Sequence, residues 1–185
     1  VVPDYKEGLA AQLRKSGIEV LVFRENLKPA ITVVPEPAGR VGEDRIAGAL
    51  GAIYLDSKRP WIVVDVGTAL TINAVTPGRG TLLPRFEGGL IIPGPTIALK
   101  ALAEHTAQLP LLSLSFPSPE YADAGYIGRN TEQAMCWGVY HAQISAAISL
   151  AQAQALVLGK RTRVVLTGGG AEDVGFVTRF FQAFA

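Results

Sequence analysis

The sequence predicts an α/β fold. Short runs rich in β-branched and apolar residues, typical of strands, alternate with longer segments in which alanine and leucine recur at helical spacing. Hydrophobic residues make up 49% of the 185 residues and charged residues only 18%, so the chain can bury a sizeable core. This length suits one large domain or two small ones.

The predicted helices and strands follow one another in a regular order. The predicted helices cover residues 4–16, residues 43–55, a segment beginning near Pro95, a long segment opened by Gly128, and the C-terminal residues after 171. The predicted strands are 18–22, 30–34, 61–64, 71–76 and 163–166.

Charge and composition exclude several classes of function. The net charge of +1 and the absence of basic runs predict no nucleic-acid partner. The single cysteine excludes an internal disulfide and a cysteine metal cluster. Residues 133–159 carry no charge, but their polar residues interrupt the apolar length that a membrane span needs, so no membrane partner is expected. We expect instead a long helix whose small-residue face packs on another helix or subunit, formed by Ala142, Ala146, Leu150 and Ala153.

The stretch Trp61-Ile62-Val63-Val64-Asp65-Val66-Gly67-Thr68 places a carboxylate and a glycine turn at the end of a buried strand. Asp65 and Thr68 are common turn formers, which is one interpretation. The other is a phosphate and cation site. In that case Gly67 lets backbone N–H groups approach an oxyanion, Thr68 adds a hydroxyl, and Asp65 holds the accompanying cation.

Two further glycine-rich turns follow predicted strands, at residues 88–94 and 167–170. Glycine turns at the ends of several strands suggest a ligand cleft at one edge of the sheet. Gly42-Glu43-Asp44-Arg45 opens a predicted helix, where an acidic residue is favoured by the helix dipole whether or not it has a function.

Taken in this order, these segments resemble the type III pantothenate kinases, a family of the acetate and sugar kinase/Hsc70/actin superfamily. Thr106-Ala107-Gln108-Leu109-Pro110 adds to the resemblance, because no general physical argument demands that pentapeptide. The segments that carry the resemblance are 42–45, 65–71, 88–94, 106–110, 128–134 and 167–169.

The resemblance implies ATP-dependent phosphorylation of pantothenate to 4'-phosphopantothenate, the first step of coenzyme A biosynthesis in the cytoplasm. Asp44 would take the proton from the pantothenate hydroxyl. Gly42, Glu43, Asp44 and Arg45 would line the pantothenate pocket, which Thr131 would reach from the other subunit of a homodimer.

The resemblance also implies the cofactors: ATP, Mg²⁺ and a monovalent cation, K⁺ or NH₄⁺. Asp65 would bind the monovalent cation. Gly67 and Thr68 would contact ATP, and Gly168 and Gly169 would lie at the nucleotide.

For the fold, the resemblance implies ribonuclease H-like lobes of the actin/hexokinase type. Residues 1–57 would be the remainder of a partial first lobe, including the Gly-Glu-Asp-Arg motif, and residues 58–185 a nearly complete second ATPase-like lobe. The family's first phosphate-binding turn, Asp-x-Gly-Asn-Thr, is absent from this sequence. We expect it in a separate chain that associates with this one, or elsewhere in the same protein.

Two alternatives stay open at this point. A catalytically silent or regulatory homologue would bind nucleotide or pantothenate without turnover, as the missing first turn suggests. A kinase for another small hydroxylated acid would explain why Pro35-Glu36-Pro37 stands where the family places a tyrosine.

Overall fold

A computed structural model of the chain describes residues 3–114 and 125–185. The helices are α1 (Pro3–Lys15), α2 (Glu43–Leu55), α3 (Pro95–Glu104), α4 (Thr131–Leu158) and α5 (Val174–Gln182), with short 3-10 helices at Ala38–Arg40 and Gly169–Glu172. The strands are β1 (Thr32–Val33), β2 (Trp61–Val66), β3 (Ala69–Thr76), β4 (Arg85–Pro93) and β5 (Arg163–Thr167).

The strands form one mixed five-stranded sheet in the order β1-β4-β3-β2-β5. The β2–β3 and β3–β4 pairs are antiparallel, whereas β1 runs parallel to β4 and β5 runs parallel to β2. The predicted α/β class is therefore confirmed as a mixed sheet covered by helices.

The β2–β3 hairpin has the tight turn that the sequence predicts. Asp65 pairs with Thr71 and Val66 with Leu70, which leaves Gly67, Thr68 and Ala69 between the last paired residues. The Gly67 amide donates to the carbonyl of Ala69 at 3.1 Å. The hairpin thus ends with a carboxylate just before its turn.

Alternation along β2 and β3 divides the core into two clusters. Ile62, Val64, Leu70 and Ile72 pack with α3, α4 and α5 on one face. On the other face, Trp61, Val63, Val75 and Phe86 pack with Ile46, Ala49 and Ala52 of α2. The same alternation places Asp65, Thr71 and Asn73 on the α2 face.

The predicted strand at 18–22 is wrong. The Asn26 side chain accepts a hydrogen bond from the Val22 amide and donates to the Val20 carbonyl at 3.2 Å. These local bonds occupy backbone groups that a neighbouring strand would otherwise pair. The predicted strand at 30–34 is present but shorter, as β1.

The predicted glycine-rich turn at 88–94 is also wrong, since Gly88 and Gly89 lie inside β4. The register shifts between Ala74 and Val75, and Gly88 has a φ of +125° at this irregularity. That angle lies in the region that favours glycine. Gly94 comes next as the N-cap of α3, and Pro95 begins that helix as predicted.

The long predicted helix is confirmed but begins three residues after Gly128, at Thr131, where the Asn130 side chain caps it by accepting from the Gln133 amide at 2.8 Å. Its predicted packing face is confirmed only in part within the chain, because Ala146 and Leu150 pack against the core whereas Ala142 and Ala153 are exposed. The face that packs on the sheet includes Tyr140, Ile144, Ala147 and Ala151. Among the described residues, no helix combines the length and apolar character that a membrane crossing requires.

Candidate active site

The N-terminus of α2 carries the first part of the site. Asp44 is the second residue of this helix, is exposed, and accepts a hydrogen bond from the Arg45 amide at 2.9 Å. A Cβ on Gly42 would collide with Oδ1 of Asp44, so the glycine leaves room for the carboxylate over the helix end. Half-buried Glu43 precedes it in the same turn. An exposed carboxylate held against its own helix is available to a ligand.

The Arg45 side chain extends from the same end of α2 to the sheet, where it contacts Asn73 and Phe86. Its Nε donates to Oδ1 of Asn73 at 2.7 Å, and its guanidinium carbon lies 5.3 Å from the centre of the Phe86 ring. Burial lowers the pKa of Arg45 from its ordinary value, while the negative charge of Asp44 raises it. The helix therefore presents a carboxylate and an oriented cation side by side.

Asp65 lies near the end of β2 between two glycine turns. A Cβ on Gly168 would collide with Oδ1 of Asp65, and one on Gly67 would lie 3.6 Å from the same atom. Burial raises the pKa of the half-buried Asp65 carboxyl, and the charge of Asp44 raises it further. Within residues 3–114 and 125–185 it makes no hydrogen bond or ion pair, so it can accept a cation.

A niche of about 160 Å³ lies at the hairpin turn that follows Asp65, although Asp65 itself does not line it. It is bounded by the hairpin turn, the start of α3, Leu114 and the turn after β5; its lining residues are Val66, Gly67, Thr68, Pro95, Thr96, Leu114, Gly169 and Gly170. Helix N-termini and glycine turns offer backbone N–H groups to anions. Since pockets for whole ligands measure about 300–1,000 Å³, the niche suits a phosphate group better than a whole nucleotide.

The structure brings most of the predicted residues together. Asp44 is close enough to Asp65 to shift its pKa, and Gly168 packs directly on Asp65 while Gly169 lines the niche. Thr131 is different, because α4 packs on the opposite face of the sheet from α2. In the described part of the chain it makes no hydrogen bond to the Gly42–Arg45 segment.

Three residues at the site were not predicted from the sequence: Thr71, Asn73 and Thr96. Strand alternation could have placed Thr71 and Asn73 on the same face as Asp65. Nothing local indicates that Arg45, 28 positions away, donates to Asn73. Thr96 follows Pro95 at a predicted helix start, which was a usable signal for an anion niche.

A larger cavity of the described residues lies elsewhere. It measures about 780 Å³ and lies where β2, β4 and β5 begin, between residues 76–85 and 158–161. None of the predicted site residues lines it, and its size alone does not connect it to the chemistry of the two carboxylates. Nor does the described chain contain a group of three or more His, Cys, Asp or Glu side chains placed to hold a metal ion.

The sequence is similar to known proteins over most of its length. A family model described as type III pantothenate kinase matches residues 1–153. A type III pantothenate kinase of Dehalococcoides mccartyi is 34% identical over 162 residues, covering 88% of this chain and 58% of the relative. One from Caulobacter vibrioides is 34% identical over 158 residues, covering 85% of this chain and 57% of the relative.

A solved structure of a Baf family protein from Campylobacter jejuni matches with a TM-score of 0.48 and 19% identity, over 96% of this chain and 75% of that one. That likeness is too low to support an argument. The chain spans a little over half the length of the two curated relatives. The family match covers far more than half of the chain and includes the Gly42–Arg45 and Asp65–Thr68 segments. The chain therefore belongs to the type III pantothenate kinase family.

Proposed function

We propose that this protein phosphorylates pantothenate with ATP, giving 4'-phosphopantothenate and ADP, the first step of coenzyme A biosynthesis. Membership of the family supports this proposal. The observation that carries it is that Arg45, next to Asp44 in the first turn of α2, donates to Asn73 on the face of the hairpin that also carries Asp65. A base, an oriented cation and a cation-accepting carboxylate are the groups that phosphoryl transfer requires.

In the proposed reaction the carboxylate of Asp44 accepts the proton of the primary hydroxyl of pantothenate. The hydroxyl oxygen forms a bond to the γ-phosphorus as the bond between that phosphorus and the β,γ-bridging oxygen breaks, and ADP leaves. Asp44 needs only hydrogen-bond reach of the hydroxyl, and its exposed position permits that. Arg45 would neutralise the carboxylate of pantothenate. Phosphate oxygens of ATP would bind in the niche at the β2–β3 turn.

Asp65 fits a role as a ligand for a monovalent cation, K⁺ or NH₄⁺. Its carboxylate is half-buried, has a raised pKa and lies near a second carboxylate, so a positive charge beside it is favoured. Mg²⁺ bound with ATP would neutralise charge on the phosphate oxygens. Asp65 supplies one ligand only, and other groups would complete either site.

We also propose the finer fold and assembly that the family implies. Residues 1–57 and 58–185 would belong to a first and a second ribonuclease H-like lobe. The first phosphate-binding turn would come from a separate chain or from elsewhere in the protein. The exposed position of Thr131 on the opposite face from α2 supports its contribution to a neighbouring subunit's pocket in a cytoplasmic homodimer.

An ADP-release assay with the full-length protein, MgATP and K⁺ tests the proposal. We expect ADP formation that depends on pantothenate, with 4'-phosphopantothenate identified by mass spectrometry. Binding of pantothenate or nucleotide by calorimetry without any turnover would contradict the catalytic proposal. Turnover of another hydroxylated acid in preference to pantothenate would contradict the substrate.

A further inference from the structure

Asn73 is a buried amide on the central strand β3, with 1% of its surface exposed. Its Oδ1 accepts from Nε of Arg45 at 2.7 Å, and its Nδ2 donates to Oγ1 of Thr71 at 2.9 Å. Arginine can only donate, so the amide oxygen must be the atom that faces Nε. The amide nitrogen then donates to the Thr71 hydroxyl, and the two hydrogen bonds together fix the orientation of the Asn73 amide.

Gly89 lies directly across from Asn73 on β4. A Cβ on Gly89 would stand 2.8 Å from Oδ1 and 2.9 Å from Cα of Asn73, and it would collide with the Ile72 carbonyl. Atoms this close cannot coexist, so any other residue here would displace the amide. The Gly88-Gly89 motif is therefore part of the sheet next to Asn73, in place of the glycine-rich turn expected from the sequence.

The guanidinium of Arg45 contacts Asn73 through Nε and the Phe86 ring through its face, and its two terminal nitrogens remain available. Asn73 holds Nε, and the Phe86 ring lies 5.3 Å from the guanidinium carbon. The two terminal nitrogens make no hydrogen bond or ion pair within residues 3–114 and 125–185. Two parallel N–H donors on a rigid plane match the two oxygens of a carboxylate.

We propose that Asn73 is a positioning residue that orients Arg45 to bind the carboxylate of the substrate, and that Thr71 and Gly89 hold Asn73 in place for this task. The inference rests on the proposed function and names the part of the substrate that this network recognises. Asn73 itself touches Arg45 and not the substrate. Its loss therefore affects recognition of the acid group more than the transfer of the phosphoryl group.

The test compares pantothenate with pantothenol, its analogue in which an alcohol replaces the carboxylate, in the full-length protein. For Asn73→Ala we expect the KM for pantothenate to rise roughly tenfold, the size of one lost charge-assisted hydrogen bond. The kcat should change by less than about threefold. The Kd for pantothenol, measured by calorimetry, should stay at the wild-type value.

A matched pair at Thr71 sharpens the result. Thr71→Ser keeps the hydroxyl that accepts from Asn73 and should retain the preference for pantothenate over pantothenol, whereas Thr71→Val removes it and should raise the KM for pantothenate by a smaller factor than Asn73→Ala. Gln143→Leu is the control for burial, because Gln143 is 4% exposed and donates to the Pro93 carbonyl on the α4 face. It should leave the preference for pantothenate over pantothenol unchanged.

The outcomes separate this inference from the function on which it rests. If wild-type protein neither binds nor phosphorylates pantothenate, the proposed function and the inference both fail. If wild-type protein is active and Asn73→Ala weakens pantothenate and pantothenol equally, or neither, the positioning role of Asn73 is wrong and the function stands. An equal effect of Gln143→Leu on the preference for the acid would also overturn the inference.

Discussion

The two faces of the β2–β3 hairpin differ in how their side chains are used. Facing α4, the cross-strand pairs are Ile62 with Ala74, Val64 with Ile72, and Val66 with Leu70, all apolar. Facing α2, the pairs change along the strands from Trp61 with Val75, through Val63 with Asn73, to Asp65 with Thr71. One face is a uniform core, and the other becomes polar towards the hairpin turn.

This difference shows how a single pair of strands can carry an apolar core on one face and a cluster of polar groups on the other. The α4 face removes apolar surface from water along its whole length, which holds the hairpin rigid. On the α2 face polar residues replace part of that apolar surface: Asn73 accepts a hydrogen bond from Arg45, and Asp65 lies on the same face. Substitutions on the α4 face should therefore change stability, and those at the polar end of the α2 face should change binding and turnover.

The largest expected effect is that of Asp44→Asn on turnover. Asparagine can still accept the hydrogen bond from the Arg45 amide but cannot take a proton, so kcat should fall by about 10²–10⁴ with little change in melting temperature. ADP release and thermal unfolding measure the two quantities. If Asp44→Asn turned over at nearly the wild-type rate, Asp44 would serve only to stabilise the N-terminus of α2.

On the opposite face, Ile72→Ala should act on stability alone. Ile72 is fully buried against the helices, so truncating it should cost about 2–5 kcal/mol in the free energy of unfolding. Urea denaturation measures this cost. The KM for pantothenate of the folded protein should be unchanged, and a selective rise in that KM would contradict the division of labour between the faces.

Tyr140→Phe tests a polar contact within the apolar face. The Tyr140 hydroxyl donates to Oδ1 of Asp173 at 3.0 Å, and Asp173 is 2% exposed. Removing this donor should cost about 1–3 kcal/mol, because it weakens the solvation of a buried carboxylate. Tyr54→Phe, at a residue 91% exposed, is the matched control and should leave the urea midpoint unchanged.

The smallest expected effect is a gain in stability from Asp65→Asn. The pKa of Asp65 is higher in the folded than in the unfolded protein. The ionised carboxylate therefore destabilises the folded state, fully at a pH above the folded-state pKa and not at all below the ordinary pKa of about 3.9. The variant should therefore be more stable than wild type at pH 7 by less than about 1 kcal/mol, since solvent screens a half-buried carboxylate. The gain should vanish as the pH falls towards 4.

The same variant should lose most of its activity together with any dependence on K⁺ over Na⁺. Urea midpoints at pH 4 and pH 7 measure the stability, and rates in the two salts measure the cation response. A variant less stable than wild type at pH 7 would indicate that Asp65 serves the fold as a turn residue. Equal wild-type rates in K⁺ and Na⁺ would count against a specific cation site.

Much of the fold was determined by local sequence. The helix at Glu43–Leu55 follows from alanine and leucine at helical spacing after a glycine and an acidic first turn. The β2–β3 hairpin follows from two apolar runs separated by a glycine. The motifs with Asp44 and Asp65 also indicated the family. Each motif is a short run of neighbouring residues, so it can be recognised from the sequence without knowledge of the fold.

The tertiary structure alone decided which residues meet. Gly88-Gly89 has the composition of a turn, yet it pairs with β3 as part of β4, where the missing Cβ of Gly89 leaves room for the Ile72 carbonyl and the Asn73 side chain. Residues 18–22 have the composition of a strand, yet the Asn26 side chain bonds the Val22 amide and the Val20 carbonyl. Periodicity is a property of neighbouring residues, whereas the contact between Arg45 and Asn73 depends on how α2 packs across the sheet. Local patterns therefore determined the elements and the motifs, and long-range packing determined how they form a site.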